Sequence, residues 1–329
     1  QDGDGAISRS EAKGRMLANF DQVDQDSNGL SDQDELLQLF KRLPEAREPT
    51  LSGSSAVQAS TAVPDSVELQ ENVAYREGNE KWTLDLMLPK NPDDELRPVL
   101  VFIHGGGWRN GDKTGGVWRE YPLEYAARGY VCASINYRLV DEGTILDCIA
   151  DCKCAVRWLR AHAEKFSIDV NKFGAYGNSA GAHLVAMLGL SFAQDELEGD
   201  GPHRECSSAV QAVCCSATPT NFRLWGEEVR SGDGRAAALF GEEDTEQVME
   251  LASPVSYVTG SSPPFLMVHG TADTTVPVQQ SDDLHSRFQE KKCRDVMYLR
   301  IDGAGHGVFR KHASQTVPAM HEFFDRVLR

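Results

Sequence analysis

The chain has 329 residues, of which 40% are hydrophobic, and its 33 basic and 50 acidic residues give a formal net charge of −17. This length and apolar content suffice for one large globular domain with a small additional module. The acidic surplus argues against nucleic acid or an anionic membrane as a partner, and since no run of about 18 apolar residues occurs, no transmembrane helix is predicted.

Two acidic segments near the N-terminus match the calcium-binding loop of an EF-hand, with oxygen ligands at alternate positions, a central glycine and a final glutamate. The predicted ligands of the second loop are Asp24, Asp26, Asn28, the carbonyl of Leu30, Asp32 and Glu35. Those of the first loop are Asp2, Asp4, the carbonyl of Ala6, Ser8 and Glu11, and its first ligand position would precede Gln1. Residues 1–43 are therefore predicted to be a small all-α EF-hand pair that binds Ca²⁺ as a structural ion.

The first loop has an alternative interpretation. Ser8 and Glu11 also fit a capping box, which would start a helix whether or not a metal binds. The EF-hand pair is favoured because the segment between the loops carries Met16, Leu17 and Phe20 at helical spacing.

Residues 44–66 are predicted to be a linker, since serine, threonine, glycine and proline are frequent there and hydrophobic periodicity is weak. Its length is compatible both with free tethering of the EF-hand pair and with packing of the pair on the next domain.

Strand-like and helix-like segments alternate over residues 67–329, which predicts a mainly parallel sheet flanked by helices. The predicted parallel strands are 99–103, 130–135, 173–176, 209–215, 265–268 and 296–301. Two earlier strands, near 67–75 and 82–88, are predicted to form an antiparallel edge. One helix is predicted to lay an apolar face on the sheet, through Ile149, Cys152, Val156, Leu159, Ala163 and Phe166.

A glycine-rich loop, His104 to Trp108, follows the first parallel strand. Fixed N–H donors aimed at a developing oxyanion are commonly worth about 3 to 4 kcal/mol each. We predict that the N–H groups of Gly106, Gly107 and Ala180 form such an oxyanion hole, and that His104 orients the loop. The alternative is a glycine-rich turn without a chemical role.

The segment Gly177 to Gly181 lies between a strand and a helix-like stretch, as a nucleophile elbow does. A serine on so tight a turn projects its hydroxyl from the sheet edge, so Ser179 is the predicted nucleophile. His183, one turn into the following helix, is interpreted as a packing histidine.

Two later strands are followed by an acid and by a histidine. Asp273 is the predicted acid and His306 the predicted base, with Asp302 as the competing acid. The chain order Ser, Asp, His is that of α/β-hydrolases. His269, at the end of a buried strand, is given no catalytic role.

Residues 218–240 are predicted to form a small lid over the acyl pocket. Its aromatic side chains Phe222, Trp225 and Phe240 either stack on an aryl acyl group or pack the lid onto the body.

The eight cysteines lack zinc-like spacing, and buried thiols are expected. A disulfide at Cys206 is the alternative for an exported protein.

Residues 67–329 resemble the bacterial feruloyl and acetyl-xylan esterase-like α/β-hydrolases, relatives of the hormone-sensitive-lipase-like carboxylesterases. The matching segments are His104–Lys113, Asn136–Leu139, Asp151–Lys153, Arg157–Arg160, Gly177–Gly181, Ala252–Pro254, His269–Asp273 and Gly303–Gly307. The resemblance implies the α/β-hydrolase fold and ester hydrolysis without a catalytic cofactor. Asn178 before the serine and the loop 139–148 depart from the family pattern, so the substrate stays open.

We therefore expect a serine carboxylesterase that forms an acyl-enzyme from short-chain acyl or aryl esters, with acetyl or feruloyl esters of polysaccharides as natural substrates. The alternatives are an amidase or formamidase with the same three residues and a calcium-dependent binding protein without catalysis. The EF-hand loops also favour export, because external calcium would keep weak sites filled.

Overall fold

Two short strands near the N-terminus pair with each other. The computed structural model describes residues 7–8, 30–31, 62–90, 95–225, 239–241 and 245–329. Strands β1 (Ile7–Ser8) and β2 (Leu30–Ser31) are antiparallel, with Ile7 opposite Ser31. Apart from Ser8 and Leu30, the predicted calcium ligands lie outside the described residues, and so does most of the predicted linker.

A central eight-stranded sheet carries the rest of the described chain. Its strands are β3 (Val67–Ala74), β4 (Thr83–Pro89), β5 (Arg97–Ile103), β6 (Val131–Ile135), β7 (Ile168–Asn178), β8 (Ala212–Ser216), β9 (Phe265–Gly270) and β10 (Val296–Ile301). The spatial order is β10-β9-β8-β7-β5-β6-β4-β3. Strands β5 to β10 are parallel to one another. Strand β4 pairs antiparallel with β6, and β3 pairs antiparallel with β4, which confirms the predicted antiparallel edge.

The parallel strands are buried on both faces, which explains their continuous apolar runs. Along β5, Val99, Val101 and Ile103 contribute to one hydrophobic cluster. The alternate residues Leu100 and Phe102 contribute to the other. The sheet therefore separates two cores, as the two-residue side-chain period of a strand requires.

Helices cover both faces of this sheet. They are α1 (Val117–Ala127), α2 (Ile145–Ala161), α3 (Ala180–Leu190), α4 (Thr245–Leu251), α5 (Gln279–Glu290), α6 (Val308–Lys311) and α7 (Ala313–Leu328), with short 3₁₀ turns at Asp195–Leu197, Phe222–Leu224 and Pro254–Tyr257. Helices α2, α3 and α5 bury side chains in the first cluster, and α1, α6 and α7 bury theirs in the second. A mostly parallel sheet between two helical layers is the predicted α/β-hydrolase architecture. Within the described residues, none of the helices has the length and apolar character needed to cross a membrane.

Helix α2 carries the predicted apolar stripe but ends earlier than expected. Its N-terminus has a capping box, in which the N–H of Thr144 donates to the Asp147 carboxylate at 2.8 Å. The predicted stripe extends to Phe166, whereas the helix ends at Ala161. Phe166 is still buried, because the chain turns back towards β7 and carries this ring against the same core.

A buried ionic cluster fastens the segment after α3 to helix α2. Lys153 Nζ lies 2.9 Å from Glu198 Oε1 and donates to the carbonyl of Ser191 at 2.8 Å. Arg157 donates to the other oxygen of Glu198. The Lys153 and Arg157 side chains are 0% and 1% exposed, so two buried cations share the one carboxylate of Glu198.

The cysteines are free thiols. All eight lie within the described residues, and six of them are buried. Cys214 belongs to one core and Cys215 to the other, as their neighbouring positions on a strand predict. Cys206 is partly exposed and forms no disulfide, so the alternative of a bridge at this position is wrong.

Candidate active site

Ser179 lies at the sharp turn between β7 and α3. Its backbone has φ 55° and ψ −122°, a conformation that non-glycine residues rarely adopt. The turn requires glycine two residues later, because a Cβ at Gly181 would overlap the carbonyl oxygen of Ile103 on β5. The local sequence thus holds the serine hydroxyl above the carboxyl ends of the parallel strands.

The structure brings the three residues that the sequence predicts as nucleophile, base and acid into one hydrogen-bonded series. His306 Nε2 lies 3.0 Å from Ser179 Oγ. His306 Nδ1 lies 2.8 Å from Asp273 Oδ2. Asp273 follows β9 and His306 follows β10, so all three side chains meet at the edge where open α/β sheets bind their ligands.

Asp273 is held as a carboxylate by the donors around it. Its Oδ1 accepts hydrogen bonds from the N–H groups of Thr275 and Val276 at 2.8 and 3.0 Å. Burial raises the pKa of Asp273, but the hydrogen bonds from His269, His306 and these N–H groups outweigh it and hold the pKa far below its ordinary value. The competing acid, Asp302, is exposed and accepts instead from Thr271 Oγ1 at 2.9 Å.

His269 contacts the acid from behind, a contact that its sequence position does not reveal. Its Nε2 lies 2.9 Å from the carbonyl of Val276, which can only accept, so Nε2 carries the proton. Its Nδ1 lies 2.7 Å from Ser281 Oγ and accepts that hydroxyl proton. The same Nε2 lies 3.4 Å from Asp273 Oδ2, so a second histidine supports the ionised acid.

The glycine-rich loop after β5 leaves its backbone donors available. Gly106 has φ 119° and Gly107 φ 62°, and a Cβ at Gly106 would overlap the carbonyl of Asn110. The backbone hydrogen bonds described in the turns and loops of residues 62–90, 95–225, 239–241 and 245–329 do not use the N–H of Gly106, Gly107 or Ala180. These are the three donors predicted for the oxyanion hole.

His104, the first residue of this loop, is buried. Its ring stacks on Tyr137 with centroids 4.5 Å apart, and the Tyr137 hydroxyl donates to the His104 carbonyl at 3.0 Å. Burial lowers the pKa of His104, so the imidazole is held neutral.

The far end of the loop is clamped by Asn136, at the end of β6. Asn136 Nδ2 donates to Asp112 Oδ2, and Asn136 Oδ1 accepts from the N–H of Lys113, both at 2.7 Å. Lys113 Nζ lies 2.9 Å from Asp85 Oδ1, and both side chains are buried. Two of the segments that carry the family resemblance, His104–Lys113 and Asn136–Leu139, thus contact each other.

His183 is a fully buried packing residue, as the sequence predicts, but it is also hydrogen-bonded at both nitrogens. Trp108 Nε1 donates to its Nδ1 at 3.3 Å, and its Nε2 lies 2.7 Å from the carbonyl of Ala252. Burial lowers the pKa of His183 from its ordinary 6.5 to about 4.

This shift predicts a pH-dependent stability. Between pH 6.5 and 4 the unfolded chain binds a proton at His183 that the folded chain does not, so stability falls as the pH falls through this window. At about 1.4 kcal/mol per pKa unit, the contribution is on the order of 3 kcal/mol. We expect His183→Phe to flatten the dependence of the free energy of unfolding on pH, measured by urea denaturation at pH 7, 6, 5 and 4.

The control is His203→Asn, which changes a partly exposed histidine and should leave the slope as in the wild type. Equal slopes for wild type and His183→Phe would contradict the assignment of a buried neutral imidazole.

The described part of the predicted lid is tied to the body. The carbonyl oxygen of the Gln280 side chain accepts from the N–H groups of Thr220 and Asn221, both at 2.8 Å. Phe222 and Phe240 are 0% and 1% exposed, so they pack the segment onto the core, while Trp225 is partly exposed. Residues 226–238 lie outside the described part.

Among the described residues there is no group of three or more His, Cys, Asp or Glu side chains arranged to hold a metal ion.

Comparison with known proteins identifies related chains over this domain. The BD-FAE family model matches residues 84–288. Esterase LipC of Mycobacterium tuberculosis is 32% identical over 249 residues, covering 72% of this chain and 60% of the relative. The isoprenylcysteine alpha-carbonyl methylesterase ICME of Arabidopsis thaliana is 30% identical over 241 residues, covering 71% and 56%. The chain thus spans about 60% of the length of the curated relatives that it matches.

Solved structures show the same architecture. A truncated carbohydrate esterase from gut microbiota superposes with a TM-score of 0.70 at 25% identity, over 81% of this chain and 99% of that one. The butyrate-bound esterase Est2 of Thermogutta terrifontis superposes with a TM-score of 0.67 at 25% identity, over 80% and 95%.

Proposed function

The chain belongs to the BD-FAE family, and from that membership we propose that it is a serine carboxylesterase with Ser179 as nucleophile, His306 as base and Asp273 as acid. The observation that carries the proposal is the series of hydrogen bonds from Ser179 Oγ to His306 Nε2, 3.0 Å, and from His306 Nδ1 to Asp273 Oδ2, 2.8 Å. A serine hydroxyl is a poor nucleophile near neutral pH unless a base removes its proton. His306 is placed to do so.

In the acylation step, His306 Nε2 takes the proton of Ser179 as Oγ bonds to the carbonyl carbon of the ester. The carbonyl oxygen becomes an oxyanion, which the N–H groups of Gly106, Gly107 and Ala180 stabilise. The carbon–oxygen bond to the alcohol then breaks, and the alkoxide leaves with the proton from His306. Asp273 stays ionised throughout and holds the proton of the imidazole on Nδ1.

In the deacylation step, water occupies the place of the alcohol. His306 takes a proton from the water as its oxygen attacks the acyl carbon, and returns that proton to Ser179 Oγ as the carboxylic acid leaves. The same oxyanion donors serve both steps, because both pass through a tetrahedral intermediate of the same charge.

We propose short-chain acyl or aryl esters as the substrate class, with acetyl or feruloyl groups on polysaccharides as natural substrates. The similarity to a carbohydrate esterase over 99% of that chain supports a carbohydrate-linked ester. The partly exposed Trp225 lies 6.2 Å from Trp108 of the oxyanion loop, centroid to centroid. An aryl acyl group on Ser179 would find an aromatic wall there.

The proposal is tested by substrate range and by covalent labelling. Wild-type protein is assayed with p-nitrophenyl acetate, butyrate and octanoate, with methyl ferulate, and with the anilide matched to the preferred ester. Paraoxon phosphorylates the activated serine of esterases. We expect it to add one phosphoryl group, which peptide mass spectrometry should locate on Ser179.

The outcomes separate the candidate functions. A rate of hydrolysis that falls from acetate to octanoate would indicate a short acyl pocket. Rapid cleavage of methyl ferulate would indicate a pocket that accepts an aryl group. An anilide cleaved faster than its ester would favour the amidase. Absence of both turnover and labelling would favour the calcium-dependent binding protein.

We also propose that residues 1–43 form an EF-hand pair that binds Ca²⁺ as a structural ion through Asp2, Asp4, Ala6, Ser8 and Glu11 in the first loop and Asp24, Asp26, Asn28, Leu30, Asp32 and Glu35 in the second. Ile7 and Ser31 hold the eighth position of the two predicted loops, and these two positions face each other in the β1–β2 pair. This pairing supports two loops side by side in one module. The proposal that the protein is exported rests on these loops alone.

Calcium removal is expected to lower the melting temperature of the N-terminal module while leaving kcat unchanged. A ligand that binds only the folded state stabilises it by mass action, and the proposed ester hydrolysis uses no metal. Calorimetric titration with Ca²⁺ compares wild type, Glu35→Gln and the control Glu95→Gln, an exposed acid outside the loops. Loss of turnover in EGTA with an unchanged circular dichroism spectrum would contradict the structural role.

A further inference from the structure

We propose that His183 is a positioning residue that holds the oxyanion loop, through Trp108, at a fixed distance from the nucleophile. The inference deepens the proposed esterase activity and rests on it. It assigns a role in the reaction to a buried histidine that does not touch the substrate.

The hydrogen bond between Trp108 and His183 joins two segments whose relative placement decides catalysis. Trp108 directly follows the predicted donors Gly106 and Gly107, and its Nε1 donates to His183 Nδ1 at 3.3 Å. His183 lies one turn after Ser179 on helix α3, and its N–H donates to the Ser179 carbonyl at 3.0 Å. The loop that would bind the oxyanion and the helix that presents the nucleophile are therefore tied to each other by one side-chain hydrogen bond.

The direction of this bond is determined by the partners of His183. The Ala252 carbonyl, 2.7 Å from Nε2, can only accept, so Nε2 carries the proton and Nδ1 presents a lone pair. The indole N–H of Trp108 can only donate, which matches that lone pair. The imidazole is fully buried and stays neutral, so the acceptor remains available over the pH range in which a serine esterase works.

The backbone carbonyl of Trp108 accepts from the N–H of Val140 at 2.9 Å, and the other contacts of the Trp108 side chain are less directional. Its backbone has φ 57°, a left-handed conformation that the surroundings must enforce. Its ring meets Phe222 and Trp225 with centroids 5.9 and 6.2 Å apart, apolar contacts that do not bind the indole N–H. The bond to His183 selects one rotamer of Trp108 and thereby one placement of the adjacent backbone N–H groups.

The consequence is a specific kinetic signature. A displacement of about 1 Å in a catalytic group can cost 100-fold in rate, and the loss of one oxyanion donor costs about 100- to 1,000-fold in kcat. We expect His183→Phe, which keeps a ring and removes the acceptor, to lower kcat for p-nitrophenyl acetate by about 10- to 100-fold with KM changed by less than about threefold. His183→Asn, whose amide oxygen can accept at the place of Nδ1, should restore most of kcat.

Trp108→Phe removes the donor of the same bond and is expected to match His183→Phe, and the double variant should lose no more than either single one. The control is Phe222→Leu, which removes a ring packed 5.3 Å from His183 and leaves the hydrogen bond in place. Its kcat should stay within about threefold of the wild type. Affinity for a trifluoromethyl ketone, which mimics the oxyanion, should fall in proportion to kcat/KM in the two bond-breaking variants only.

A readout independent of turnover is the indole ¹⁵N–¹H spectrum, in which the five tryptophans give five resonances. The Trp108 signal, assigned by its absence in Trp108→Phe, should shift upfield in His183→Phe. In Phe222→Leu it should move only by the smaller ring-current change that follows from losing a ring 5.9 Å away. Wild-type kcat in folded His183→Phe and in Trp108→Phe would overturn the inference, and so would an unmoved indole signal. An inactive wild type would instead contradict the proposed esterase activity. The indole spectrum reports on the hydrogen bond without turnover, so the two failures can be distinguished. If His183→Phe does not fold, Trp108→Phe decides the kinetic test.

Discussion

Ser179→Ala is expected to lower ester hydrolysis by about 10⁴- to 10⁶-fold relative to the wild type. The reason is that the variant has no hydroxyl from which His306 can take a proton, although the oxyanion donors and the substrate pocket stay in place. The residual rate should be that of solvent attack aided by these donors. The measurement is initial-rate hydrolysis of p-nitrophenyl butyrate, with circular dichroism to show that the fold is retained.

The matched control is Ser286→Ala, which removes an exposed hydroxyl that donates to the Asp282 carbonyl on helix α5. It should hydrolyse the ester at the wild-type rate. Ser179→Ala that retains the wild-type rate would mean that another group is the nucleophile, and two equally inactive proteins would favour a non-catalytic binding function.

The second large effect is expected for Asp273→Asn, at about 10⁴-fold in kcat. All the hydrogen-bond partners of Asp273 are donors: the N–H groups of Thr275 and Val276 at Oδ1 and the imidazoles of His306 and His269 at Oδ2. An asparagine amide has only one acceptor oxygen, so its NH₂ group must face donors on one side. If the NH₂ group faces His306, Nδ1 of that imidazole must accept its proton. Nε2 then carries the imidazole proton and presents it, rather than a lone pair, to Ser179.

The control for Asp273→Asn is Asp302→Asn, since Asp273 lies near His306 in space and Asp302 lies near it along the chain. Asp302 is exposed and bonded to Thr271, so we expect its variant to keep kcat within about twofold of the wild type. The reverse result, with Asp302→Asn inactive and Asp273→Asn active, would reassign the acid. Full pH–rate profiles of both variants complete the comparison.

The sheet and the meeting of Ser179, Asp273 and His306 are predictable from sequence because their signals are local. Each parallel strand is a short apolar run, and Ser179, Asp273 and His306 each follow such a run in a recognisable turn. The carboxyl ends of neighbouring parallel strands meet at one edge, so the order of the motifs is sufficient to bring the residues together. The antiparallel edge follows in the same way from two early strand patterns.

The contacts of the other buried histidines are not predictable in this way. His183 meets the carbonyl of Ala252, 69 positions along the chain, and Trp108, 75 positions away. A histidine on an apolar helix face gives no sign of which distant groups will satisfy its two nitrogens. The end of helix α2 is missed for a related reason, since the core holds Phe166 in place after the helix has ended.

The buried cluster of Lys153, Arg157 and Glu198 has a consequence for how this domain can change through evolution. Removing Glu198 leaves the buried Lys153 and Arg157 cations without their shared carboxylate, at about 3 to 5 kcal/mol. That is a large part of the 5 to 15 kcal/mol by which domains are typically stable. A substitution of Glu198 alone therefore passes through a destabilised intermediate, whereas a joint exchange of all three residues for apolar residues of similar volume does not. Descendants of this sequence should keep Glu198 for as long as they keep either buried cation, and the segment that Glu198 fastens to helix α2 should diverge around this fixed point.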